Sequence, residues 1–284
     1  MIREKDGILK PRIALAVFAL AALVGLVRPA LAAVDELLLC LPGFPGTPAQ
    51  AQPYIDKMLR HLEQKLGKPV GSISGVYLSD GVEADKAIKA KRPSVALVGP
   101  SILAANHKAL GMKVIAKLEV AGRSQEVYSI VAKKDGVSTV EGLAEKRLSG
   151  VVVNDEKFVV NVLLDRKVPM GSLKLMPQKR PLKSLRDVAR GEADAAVVDQ
   201  SVVNSMKELP EAADLTVIYT AKAVPAPAVV VMGGGAADAG ALSKALVGMC
   251  GRPDGAELCK TLTLTAITAA SDEDYKDLLT RYGR

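Results

Sequence analysis

The chain has 284 residues, 49% hydrophobic and 24% charged, which excludes disorder as the main state and exceeds one typical domain. Its formal net charge is +7, but aromatics make up 3% and tryptophan is absent, so the basic stripes with stacking aromatics that nucleic acid binding needs are missing. The lysines alternate with acids on predicted helices and read as solvated faces.

In chain order, Arg3, Lys5, Lys10 and Arg12 precede an uncharged apolar run from Ile13 to Val27, followed by Ala30-Leu31-Ala32. This is the pattern of a secretory signal cleaved near Ala32. A membrane anchor is the alternative, but fifteen apolar residues fall short of the roughly 20 that span a bilayer. Nothing later is long enough to span. Removing residues 1–32 takes away five Lys or Arg and two acids, leaving 33 basic against 29 acidic residues, a balance of +4. Lipid attachment at Cys40 is disfavoured by bulky Leu39 before it.

The first strand is Leu37-Leu38-Leu39. A Gly/Pro-rich loop from Leu41 to Pro48 leads to a helix with Ile55, Leu59, Leu62 and Leu66 on one face, ended by Gly67. Strand 73–78, helix 82–91, strand 94–98, helix 101–110 and strand 112–120 complete a first α/β unit. The extended segment Glu126 to Ala132 leads into a second: strand 149–153, helix 156–166, strand 172–176, helix 182–190 and strand 194–198. Another extended stretch, Leu215 to Val231, carries Pro225 and Pro227, which break a ladder as at a crossing between lobes. Helices 237–248 and 272–281 close the chain and are expected to cover the first lobe.

Residues 94–101 and 194–201 repeat one device: small and β-branched apolar residues, a turn, then a serine opening a helix. Ligands bind beside such strand ends, where unpaired N–H groups and the helix dipole face outward. One per half predicts two lobes with separate cores and a gap bordered by Gly99 and Asp199. Export allows disulfides to persist, and Cys250 and Cys259 flank a turn-rich stretch that such a bond would close. Cys40 reads as a buried, inert thiol. Zinc is disfavoured, since neither cysteine has a close second ligand and only His61 and His107 exist.

Several segments together resemble the periplasmic solute-binding proteins of ABC importers, type II, in the phosphate, phosphite and phosphonate group. They are Val95-Ala96-Leu97-Val98-Gly99-Pro100, the crossing strand with Tyr128, Gly191 to Asp199, Pro225-Ala226-Pro227, and Cys250-x-x-Pro253-Asp254-Gly255-x-x-x-Cys259 followed by Tyr275. The resemblance implies a two-lobed α/β fold with two hinge-crossing strands. It divides the chain into a signal (1–32), a first lobe (33–124 plus 225–284) and a second (125–224). It also implies a monomeric periplasmic receptor without cofactor, metal or nucleic acid, which hands a small ligand to an ABC permease in the membrane.

Departures from that pattern bear on the ligand. Phosphonate binders present a Ser/Thr/Gly sequence at a helix start in the second lobe; here Asn154-Asp155-Glu156-Lys157-Phe158 stands there, and carboxylates satisfy the same N–H groups an anion would use. A histidine expected before helix 182 is absent, with Lys179, Arg180 and Pro181 near that place. A zwitterion or cation-bearing ligand is therefore as compatible as an oxyanion. The candidate contacts are Thr47, Gly99, Ser101, Tyr128, Asn154, Asp155, Asp199 and Ser201. Ser101, Ser201, Asp155 and Asp199 each have a plain capping role as the alternative. Tyr128 can offer its hydroxyl or pack between lobes, and the loop of Thr47 can be merely a turn. No catalytic residue is assigned: Gly-x-Ser-x-Gly and His-Glu-x-x-His are absent, and neither histidine pairs obviously with a nucleophile. A hydrolase with dispersed carboxylates and a ligand sensor for a signalling partner are the rival classes.

Overall fold

Short apolar runs bounded by glycine, proline and aspartate build the sheets, and caps decide where the helices start. The computed structural model describes residues 36–43, 47–233 and 239–284, apart from the side chains of residues 254, 258 and 261. The expected signal segment, Phe44 to Gly46 and Gly234-Gly235 lie outside the described residues.

β1 (Glu36–Cys40) pairs in parallel with β2 (Ser74–Leu78) and β3 (Val95–Val98). α1 (Pro48–Leu66) opens with a reciprocal capping box between Thr47 and Gln50 and closes at Gly67, whose φ of 65° suits a residue without Cβ. α2 (Gly81–Lys91) is capped by Asp80, and α3 (Pro100–Leu110) begins at Gly99 with no side-chain cap. β4 (Lys113–Val120), β12 (Ala228–Val231) and β13 (Leu264–Ala269) complete a six-stranded sheet of order β13-β4-β12-β3-β1-β2.

A second, five-stranded sheet has β6 (Tyr128–Lys133), β7 (Arg147–Gly150), β8 (Lys174–Pro177), β9 (Ala195–Asp199) and β10 (Leu215–Thr220) in the order β10-β6-β9-β7-β8. α4 (Pro181–Ala189) and α5 (Gln200–Ser205) belong to it. Between the sheets, β5 (Gln125–Glu126) and β11 (Val224–Pro225) form a small antiparallel ladder. α6 (Ala239–Leu246), α7 (Pro253–Thr261) and α8 (Lys276–Gly283) follow.

Several elements differ from the sequence expectation: no strand is expected where β13 adds to the edge of the first sheet, the strand expected over 149–153 is β7 at Arg147–Gly150, and two further segments change type. The helix expected over 156–166 reduces largely to a π-type turn, Phe158–Leu163, buried at every position. Its run of β-branched valines has no polar face and loses rotamer freedom in a tighter helix. The stretch around 253–261, read only as turn-rich, is α7, which Pro253 opens; a Cys250–Cys259 disulfide ties it to the preceding turn. Cys40 is buried and free, and burial followed by the Asp85 charge pushes its thiol up to about 12, so it is an inert core residue.

The expectation of two separate cores is corrected. The outer face of each sheet has its own apolar cluster, with Leu59, Leu62 and Leu246 on the first and Leu185, Val188 and Val202 on the second. The inner cluster is continuous, from Leu38, Val98 and Leu103 through Tyr128 and Ile130 to Val151–Val153 and Phe158–Leu164. The reason is closure: the lobes meet over apolar residues that each would otherwise expose. α8 contributes Leu278 to this shared core and packs on both α3 and the turn at 158–163, so the last helix covers both lobes and not the first alone. Its Arg281 is 3% exposed; Nη1 donates to the Val162 carbonyl (2.9 Å), Nη2 to that of Ala223 (3.0 Å) and Nε to Asp277 (2.9 Å). Just before α8, the buried Tyr275 hydroxyl donates to the Ala226 carbonyl (2.8 Å), fixing the chain between β11 and β12.

Candidate functional site

Alternation along the first crossing places Glu126 and Tyr128 on one face, and β6–β9 pairing sets Tyr128 directly opposite Asp199. These three side chains meet on a cavity of about 370 Å³ at the hinge. Pro42 and Gly43, from the loop after β1, form the first-lobe wall; Val151 and Ser201 form the second, and Arg123 brings a guanidinium. The Tyr128 hydroxyl donates to Glu126 Oε2 at 2.5 Å, and its ring lies edge-on to Phe158 with centroids 6.4 Å apart. Asp199 Oδ1 accepts from the Ser201 hydroxyl and from the N–H groups of Ser201 (2.7 Å) and Val202 (3.3 Å), so it caps α5 while facing the cavity.

Burial pushes the Glu126 carboxyl up to about 7; the Tyr128 hydrogen bond opposes this, Asp199 adds to it and Arg123 reduces it. Burial, then Glu126, likewise hold the Tyr128 hydroxyl well above its ordinary range. Because Glu126 is protonated more readily folded than unfolded, the stability this contributes is complete below its ordinary value and disappears as pH rises through about 7. Wild-type protein is therefore expected to lose about 1–2 kcal/mol between pH 4.5 and 7, a figure discounted for partial exposure, and Glu126→Gln to lose none of it. Urea titrations at pH 5 and 8 check this. Equal losses in both proteins would reject Glu126 as the source.

Tyr128, Asp199 and Ser201 share this cavity, but Thr47 and Gly99 do not line it. Thr47 is exposed and occupied in the α1 capping box. The N–H of Gly99 donates to the Cys40 carbonyl (3.0 Å) and Pro42 covers the residue, so Gly43 takes the place facing Asp199. Ser101, Asn154 and Asp155 line a different hollow of about 430 Å³. Asp155 Oδ1 accepts the N–H of Phe158 (3.2 Å), the capping role that was its alternative. Sequence reasoning assigns Glu126 no role, although its i, i+2 relation to Tyr128 on a crossing strand is an available signal. Arg123, in a turn, gives none. Among the described residues no group of three His, Cys, Asp or Glu side chains could hold a metal ion, and no helix is long and apolar enough to cross a membrane.

The lobes touch beside the cavity. A Cβ on Gly43, at φ 80°, would stand 2.8 Å from Val151 Cγ2, and one on Gly81 would stand 2.8 Å from Asn154 Oδ1. Lys179, after β8, pairs with Asp80 (3.1 Å) and Glu83 (3.3 Å) at the start of α2. Exposed pairs of this kind contribute little stability, but they orient the closing faces.

Residues 46–275 match the family model for the phosphonate periplasmic substrate-binding protein of ABC transporters. No curated protein matches the sequence. A binding protein component of an ABC phosphonate transporter from Pseudomonas aeruginosa is similar, with a TM-score of 0.64 at 12% identity, covering 88% of this chain and 85% of that one. PhnD1 from Prochlorococcus marinus, solved in complex with methylphosphonate, gives 0.60 at 14% identity over 87% of this chain and 97% of that one. A Xanthomonas citri protein solved bound to ATP gives 0.66 at 14% identity over 88% and 98%. At these identities the likeness shows the fold, the two-lobed type II arrangement.

Proposed function

The chain belongs to the phosphonate periplasmic substrate-binding family of ABC transporters, and we propose that it holds a small polar solute in the cavity at the hinge. The family role is binding and delivery to a membrane permease, not catalysis. The proposed mechanism is a population shift: contacts complete only when the lobes close favour the closed form by the difference in affinity between the two forms. In this reading the protein acts as a periplasmic monomer, its signal removed near Ala32, with residues 33–124 and 225–284 as one lobe and 125–224 as the other.

The observation that carries the reading is the convergence of Tyr128, Asp199 and Glu126 with Arg123 on one cavity walled by both lobes. Arg123 suits an anionic group. Asp199 opposes a plain dianion and accepts from a donor. A phosphonate that also carries an amine or hydroxyl matches both, which fits the absence of the second-lobe Ser/Thr/Gly sequence.

A thermal-shift comparison of phosphate, methylphosphonate and 2-aminoethylphosphonate tests this. The aminophosphonate is expected to stabilise most, by about 2.7 kcal/mol at a hundredfold excess over Kd. Asp199→Asn, which keeps an acceptor for α5, is expected to remove the preference over methylphosphonate. Absence of a shift with all three would reject the phosphonate reading. A preference unchanged in Asp199→Asn would move the binding site elsewhere.

A further inference from the structure

We propose that an apolar cavity in the first lobe holds the unbranched alkyl chain of a solute whose polar head lies in the hinge cavity. The space is about 380 Å³ and lies between the outer face of the first sheet, at Leu39, Leu97 and Val229, and the helices α1 and α6, at Met58 and Leu246. These residues belong to the outer apolar cluster of that lobe, so the gap is inside its core. Native interiors leave few voids larger than a water molecule, whereas pockets that take small ligands begin at about 300 Å³.

The walls select an uncharged occupant. Among the described residues that line the cavity none is charged. Of the polar ones, Gln50 Oε1 accepts from the Thr47 N–H (2.9 Å) and hydroxyl (3.2 Å), and the Thr263 hydroxyl donates to the Leu262 carbonyl (2.7 Å). Burial pushes the Tyr77 hydroxyl up to about 12, so it stays neutral. An ion placed here would lose its hydration without replacement, and an ordered water needs about two to four polar partners. Hydrocarbon meets neither cost.

The mouth sets the shape. Thr263 is exposed and lines both this cavity and the hinge cavity. Its φ is 55°, where a β-branched residue is an outlier, and its carbonyl accepts the N–H of Ala121 (2.9 Å), itself at φ 49° on the hinge cavity. Such backbone persists only where its surroundings over-determine it, and it gathers at functional sites. A solute lying across Thr263 has Arg123 and Asp199 on the hinge side and hydrocarbon on the other. An amphiphile with a small polar head fits both, and flexible Met58 suits a chain that must find room.

The head rests on the hinge reading and the chain does not, so the test separates them. The mature protein is titrated by calorimetry and thermal shift with methylphosphonate (head), 1-octanol (chain) and octylphosphonate (both). Ala51, near the start of α1, lines the apolar cavity and not the hinge. Ala51→Phe fills the space, and Ala51→Leu fills less of it and carries the comparison if the larger change disturbs folding.

Octylphosphonate is expected to bind wild-type protein at least about a hundredfold more tightly than methylphosphonate, since each buried methylene contributes about threefold. Ala51→Phe is expected to remove that gain and the 1-octanol shift while leaving methylphosphonate binding unchanged, with Ala51→Leu between. If methylphosphonate fails to bind but both chain-bearing probes bind wild type and not Ala51→Phe, the hinge reading falls and the alkyl site stands. The proposal is overturned if octylphosphonate gains nothing over methylphosphonate, which would mean that the chain's own side chains fill the space. A gain that survives both Ala51 substitutions overturns it equally and puts the alkyl chain elsewhere.

Discussion

Arg281→Met is expected to lower the unfolding free energy by about 2–5 kcal/mol, a larger stability effect than that of any other substitution proposed for this chain. Methionine keeps much of the stem volume, so the loss isolates the donors. The carbonyls of Val162 and Ala223 would each lose their guanidinium partner at a site that water hardly reaches. Val162 stands near the end of the π-type turn of the second lobe, where a cation also offsets the exposed carbonyl dipoles. Ala223 leads into the returning hinge strand β11. Asp277 is not stranded by the change, because Lys222 pairs with it at 2.9 Å. Arg281→Lys, with three donors on one nitrogen and no fork, should recover part of the loss. The urea midpoint measures all of this, and an unchanged midpoint in Arg281→Met would show that these carbonyls find other partners.

Much of the scaffold is legible in the sequence because local signals and tertiary structure agree. Val95–Val98 and Ala195–Asp199 are strands ending at helix starts, and Gly67 ends α1 as its position past Leu66 implies. The turn at 158–163 is not legible, since an apolar run buried on all sides carries no period by which to separate helix types. Arg281 is equally hidden: on a terminal amphipathic helix it reads as a solvated charge, and only packing against two lobes buries it. The site divides in the same way. Tyr128 and Asp199 are placed by strand logic that the pairing register obeys. Thr47 reads as a ligand contact only if Gln50, three residues on, is overlooked, because the two together spell a capping box. Gly99 and Gly43 exchange places at the cavity because covering by Pro42 depends on how the lobes close, which a linear pattern does not encode.

Gly81→Val is expected to weaken ligand binding by about ten- to a hundredfold, equivalent to about 1.4–2.8 kcal/mol against the closed form. Gly81 begins α2 without the positive φ that would make a side chain locally strained, and valine costs no more than glycine in a helix. Within its own lobe the substitution is therefore nearly neutral. Across the cleft it is not: its Cβ would stand 2.8 Å from Asn154 Oδ1 and 3.2 Å from the Val151 carbonyl, and the valine methyls add further bulk. The wedge acts only when the faces meet. Gly75→Ala supplies the contrast, because its Cβ would stand 2.5 Å from Ile55 Cγ2 inside the first lobe and should lower stability without a specific effect on closure. Calorimetry gives Kd, and X-ray scattering gives the radius of gyration with and without saturating ligand. A Gly81→Val protein that binds with wild-type affinity and contracts as wild type does would show that ligand is held without this approach of the lobes. The shared core from Val98 to Val151 would then be a permanent joint, and binding would have to enter the hinge cavity of a chain that never opens along this edge.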